Sequence, residues 1–139
     1  MAWMVPDSLV RGVDAFRDGE GKGWLEHLPA LPDECRSRWR LQVGEPFPYP
    51  SLSFVAPATR EDGTDAVLKV GFLRDELLCE IAALRAFDGR GAVRLLDADP
   101  DRGALLLERL LPGTELAALA DEEEVTRAGI AVMRELWRP

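Results

Sequence analysis

The chain has 139 residues, 47% of them hydrophobic and 30% charged, and a net charge of −8. That length and balance suit one globular domain and exclude a fibrous repeat or an extended disordered tract. The acidic excess repels polyanions, so nucleic acid and anionic membrane surfaces are not expected partners, while cationic small molecules stay open.

Two cysteines, Cys35 and Cys79, have no paired spacing and read as reduced core residues. The N-terminus lacks a basic start followed by an apolar core, and no apolar run is long enough to span a bilayer, so a cytoplasmic location is expected. The lone His27 cannot build a histidine metal site without partners, and no metal-ligand set is expected. Its expected role is to pack against or cap a helix.

In chain order, "DSLVRGVDAFRDG" places Leu9, Val13 and Phe16 near helical spacing before Gly19, Gly21 and Gly23 interrupt it. Pro29 and Pro32 then divide the next stretch into a short helical turn and a longer helix from about Asp33. Trp24 and Trp39 read as packing anchors. From Arg40 the pattern turns to strands: "RLQVGEPF" and "LSFVAPAT" flank the turn formers "PYPS", and "REDGT" leads into "DAVLKVGF". Alternation in this third strand puts Ala66, Leu68 and Val70 on one face and Val67, Lys69 and Gly71 on the other.

The clearest helix is "RDELLCEIAALRAFDGRG", with an apolar stripe of Leu77, Ile81 and Leu84, closed by Gly89 and Gly91. Glu76 and Glu80 lie four residues apart and share one helical face. "AVRLLDAD" and "GALLLERL" flank "PDR" as a second hairpin, and Asp121, three residues before Glu124, opens a last helix as its cap. The expected division is a helical segment over 1–39, a sheet-bearing unit over 40–111, and a linker with the last helix over 112–139.

Lys69 is one of only two lysines among seventeen basic residues, set in a run that otherwise reads as buried strand. A cation there is costly unless something pairs with it. A strand lysine, a following helix with a glutamate turned towards it, and two further strands form the order of a kinase-like small lobe. A lysine can hold nucleotide phosphates only if a carboxylate fixes its rotamer, and Glu80 is in register to do so. A surface ion pair at a sheet edge is the competing reading. In "ALLLERLLPGTEL", backbone groups near Glu108, Arg109 and Leu110 form a candidate hinge that would bind an adenine edge; the competing reading there is an apolar edge strand and a turn.

Together, "PFPYPSLSFVAPA", "AVLKV", "EIAALRAFDGRGAVRLLDAD", "GALLLERLLPGTEL" and "VMRELWRP" resemble the aminoglycoside and hydroxyurea antibiotic resistance kinases, the family that includes streptomycin 6-phosphotransferases. The resemblance covers most of residues 40–139. It implies an α+β fold with a protein-kinase-like N-terminal lobe: an antiparallel sheet of about five strands with one packed helix, short helices before it and a C-terminal helix after it. It further implies a cytoplasmic enzyme that moves the ATP γ-phosphate, with Mg2+, to a hydroxyl of an aminoglycoside or similar small molecule. Carried over by position, Lys69 binds phosphate, Glu80 anchors Lys69, residues 108–110 form the hinge and Ser51 covers the phosphates.

Two departures qualify that expectation. The loop between the first two strands has no glycine, and Pro48 and Pro50 stiffen it. The chain also contains no asparagine and no His-Gly-Asp or His-Arg-Asp stretch, so no catalytic residue is assigned within it. The sequence therefore reads as the small lobe of such a kinase with the start of a helical lobe, inactive by itself. It is expected to expose apolar surface along its hinge and last helix and to form a homodimer there. A non-catalytic module binding a nucleotide or protein, or a structural dimerising domain, is the alternative.

Overall fold

The structure is a computed structural model, which describes residues 3–16, 21–48, 52–72 and 74–138. Three short helices lead the chain: α1 (Asp7–Asp14), α2 (Lys22–His27) and α3 (Leu31–Trp39). Strands β1 (Gln42–Val43), β2 (Ser53–Thr59) and β3 (Asp65–Gly71) follow, then α4 (Arg74–Phe87), β4 (Leu95–Asp99), β5 (Ala104–Glu108) and α5 (Glu122–Leu136). The sheet is antiparallel throughout, in the order β1-β2-β3-β5-β4. The α+β architecture with about five strands and one packed helix is the one expected from the sequence.

Alternation in β3 decides what each sheet face touches. Ala66, Leu68 and Val70 are buried while Val67 and Lys69 are half-buried. Leu68 and Val70 join Phe54, Ala56 and Ala104 in a core completed by Leu9, Val13, Leu28 and Cys35 from the α1 to α3 segment, while Ala66 packs with Leu41, Ala58 and Leu106. The opposite face carries Val67, Leu105 and Leu107 against Leu77, Ile81 and Leu84, the anticipated stripe of α4. The sheet is thus covered on both faces, and Lys69 lies on the α4 side. Helices α1 to α3 share one core with strands β2, β3 and β5.

A polar clamp fixes the first cover in place. Asp99 at the end of β4 is only 4% exposed, and its Oδ2 accepts from Arg102 Nη1 at 2.9 Å and faces Arg38 Nε of α3 at 3.5 Å. Arg102 Nε donates to Glu34 of α3 at 2.7 Å. Burial works against the charge of Asp99, but hydrogen bonds from the Arg102 side chain and backbone, with the charges of Arg38 and Arg102, outweigh it and hold the carboxyl below its ordinary value. The β4-β5 turn that presents this cluster needs Gly103, whose φ is +67° and whose Cβ would stand 2.9 Å from the Gly71 carbonyl.

Several expectations are corrected. The helix expected from Asp33 begins at Leu31, because Pro32 falls in its first turn, where no N–H is required. The first strand is reduced to Gln42–Val43, since Gly44 and Pro46 follow and Leu41 N–H is taken by Arg36 O. Cys35 is buried as expected, but Cys79 is exposed, being turned away from the Leu77, Ile81 and Leu84 stripe. His27 is exposed and bonds through Nδ1 to Gly23 O at 2.8 Å within its own helix. Trp24 packs on Phe72 with ring centroids 5.5 Å apart, and Trp39 donates Nε1 to Asp97 at 2.9 Å.

α5 starts as the sequence suggests, with the Asp121 carboxylate accepting from Glu123 N and Glu124 N. None of its described residues is fully buried. Its last turns rest on Gly91, where an added Cβ would sit 3.0 Å from Glu135 Cβ and from Leu136 Cγ. Ile130, Met133 and Trp137 are exposed on its outer face. No helix among the described residues is long and apolar enough to cross a membrane.

Candidate functional site

Lys69 sits in the middle of β3, paired with Val55 on one side and Leu105 on the other. Its backbone is therefore fixed by strands on both flanks, and its side chain stands on the face that α4 covers. The α4 stripe seats the helix so that Glu80, beside Ile81, looks back at that lysine. Lys69 Nζ donates to Glu80 Oε1 at 2.8 Å and to Oε2 at 2.9 Å. The side chains are 24% and 35% exposed, partly desolvated but within reach of a ligand.

Beside the pair lies a small cavity of about 80 Å3, bordered by Leu52, Ser53, Gly71, Glu76 and Leu77 as well as Lys69 and Glu80. An ammonium carries three donors, and the two directed at Glu80 leave one for a ligand. The floor at Gly71 has no side chain to obstruct approach, and Ser53 is its cross-strand partner. Glu76, one turn before Glu80, adds a second carboxylate to the rim. A naked phosphate would meet this negative rim, whereas a phosphate accompanied by a divalent cation would be better matched.

The remaining candidates are arranged as follows. Glu108 ends β5; its N–H donates to Arg94 O at 3.0 Å, and its carboxylate accepts from Arg94 N at 2.8 Å. Both groups are committed to the sheet. Arg109 and Leu110 follow as non-strand chain, and Leu110 is exposed. The structure thus brings Lys69 and Glu80 together and puts the 108–110 segment at the end of the strand next to β3. Ser51 lies outside the described residues. Sequence reasoning missed Ser53 and Glu76 as rim residues. A signal for Ser53 was present, because Val55 faces Lys69 across the hairpin and Ser53, two residues earlier, shares its face.

A five-stranded antiparallel sheet bridged to one packed helix by a strand lysine and a helix glutamate is the architecture of a kinase-like N-terminal lobe. The chain belongs to the aminoglycoside/hydroxyurea antibiotic resistance kinase family, whose profile matches residues 38–139. It is 39% identical over 120 residues to a streptomycin 6-kinase of Streptomyces griseus, covering 86% of this chain and 39% of that protein. A streptomycin 6-kinase of Streptomyces glaucescens is 39% identical over 119 residues, with the same coverage of 86% and 39%. A hydroxyurea phosphotransferase of Kitasatospora aureofaciens is 39% identical over 129 residues, covering 93% of this chain and 37% of the relative. The chain thus spans about two fifths of the length of these curated relatives. No solved structure gives a significant match.

Proposed function

We propose that this chain is the ATP-binding lobe of a small-molecule kinase that transfers the ATP γ-phosphate to a hydroxyl of an antibiotic such as streptomycin. The observation that carries this reading is the two-pronged contact of Lys69 with Glu80 beside a small open cavity, in a chain of this family. Glu80 holds the lysine extended, and its remaining donor meets an α- or β-phosphate oxygen. The Ser53 hydroxyl borders the same space as a further phosphate contact. The chain segment from Glu108 to Leu110 offers the adenine its backbone edge, with Arg109 and Leu110 as the groups the sheet leaves available.

Mg2+ would travel with the triphosphate and neutralise its charge near the Glu76 and Glu80 rim. The 139 residues contain no asparagine and no His-Gly-Asp stretch, so the acceptor-orienting aspartate and the magnesium ligands are not supplied by them. Alone, the chain binds nucleotide without turnover. The test is calorimetric titration of MgATP into the chain and its Lys69→Met variant, together with phosphate transfer to streptomycin by the longer protein carrying this lobe. Saturable binding that Lys69→Met weakens at least about tenfold supports the reading. No heat at millimolar MgATP overturns it.

A second reading, a dimerising module, is favoured by the exposed Ile130, Met133 and Trp137 of α5. Light scattering separates the two: a dimer that ignores nucleotide and dissociates on Ile130→Glu supports self-association as the primary role.

A further inference from the structure

On the sheet face opposite Lys69, a groove of about 870 Å3 runs along β1. Trp3, Met4, Pro6, Leu41, Pro46 and Pro48 supply most of its apolar lining. The free edge of the sheet forms part of the same groove, through Val43, Gly44 and Glu45.

The pairing of β1 fixes which backbone groups this edge offers. Gln42 pairs with Thr59 and Val43 with Ala58, and Gly44 N–H donates to Pro57 O at 2.8 Å. Antiparallel strands alternate between residues that bond the partner and residues that bond outward. Gln42 and Gly44 bond β2, so the N–H and C=O groups of Val43 and Glu45 face out of the sheet. No backbone hydrogen bond occupies them among the described residues. The Trp3 indole in the lining also has a buried Nε1 without an acceptor among those residues.

We propose that this edge takes an extended segment of another polypeptide, apolar at alternate positions and bearing lysine or arginine between them, as an added outer strand on β1. The four outward backbone groups give such a strand its pairing, and the apolar lining receives every second side chain. The choice of a basic segment follows from charge. Glu45 is exposed and has no ion-pair partner among the described residues, while Arg36 is neutralised by Asp33 at 3.4 Å; the chain as a whole carries −8. A second copy of this chain fits less well, because two molecules of that charge repel. Pro46 also limits the open ladder to a length that suits a single strand better than another folded sheet.

The test uses the 139-residue chain and a fluorescent, end-blocked peptide of alternating lysine and valine, titrated by anisotropy. Saturable binding is expected. N-methylation of the peptide amides that face β1 should weaken it about tenfold, because each methyl removes a ladder donor. Glu45→Lys should weaken the basic peptide severalfold and favour an otherwise identical peptide with glutamate in place of lysine. Circular dichroism of the variant, unchanged from the parent chain, shows that the fold is intact. Absence of saturable binding, or equal binding of the N-methylated peptide, overturns the proposal. Cross-linking of two chains through Glu45→Cys in a Cys79→Ser background at micromolar protein also overturns it, since the edge would then belong to a second copy.

Discussion

Lys69 and Glu80 show how a contact can matter more to a ligand than to the fold. Both side chains keep part of their surface in water, and ion pairs of that kind contribute about 1 kcal/mol or less to stability. Glu80→Gln is therefore expected to leave the thermal midpoint nearly unchanged while weakening MgATP binding severalfold, as calorimetry and melting curves on one sample would show. Asp99 is the opposite case, with a nearly buried carboxylate holding two arginines. Asp99→Ala should cost about 1 to 3 kcal/mol in denaturant unfolding, because it leaves the facing donors unpaired. Its pKa is lowered on folding from an ordinary value of 3.8. The stabilisation from its ionisation is therefore complete above that value and lost as pH falls through the lower folded value. Unfolding followed from pH 6 to pH 2 should show an acid loss that Asp99→Ala reduces.

The elements differ in how far local pattern determines them. The α4 stripe and the alternation of β3 were legible because each periodicity matches a single buried face. From them, the approach of Lys69 to Glu80 could be anticipated. The length of β1 could not, because Leu41 N–H is diverted to α3, and neither could the seat of α1 to α3, which depends on tertiary packing against Phe54, Leu68 and Val70. The Asp99 cluster was hidden for a similar reason: Glu34 and Arg102 are 68 residues apart in sequence. Leu105 lies fully buried under α4, so Leu105→Ala should destabilise by about 2 to 5 kcal/mol in chemical denaturation. An effect well under 1 kcal/mol would mean that α4 is not seated as described.

At the scale of the molecule, one sheet carries two unlike covers. The face bearing Phe54, Leu68 and Val70 is closed by apolar packing from α1 to α3 and pinned by the Asp99 cluster. The other face is closed by a single helix whose inner stripe gives way to a charged pair. Removal of residues 1–39 is expected to expose the first face and yield aggregated protein, measurable by light scattering and loss of cooperative melting. Truncation before α5 should alter the melting midpoint much less, since none of that helix's described residues is fully buried. The two outcomes together would distinguish a core component from an appended helix.

The two cysteines, unequal in burial, turn the chain into its own sensor. Cys35 is enclosed, and its thiol is pushed up to about 11, chiefly by burial and then by the Asp99 charge, so it stays protonated and shielded in mildly alkaline buffer. Cys79 stands in the open, adjacent in sequence to Glu80. A maleimide dye should therefore attach at one position without any mutation, next to the carboxylate that steadies Lys69, where its emission would report a nucleotide docking in real time.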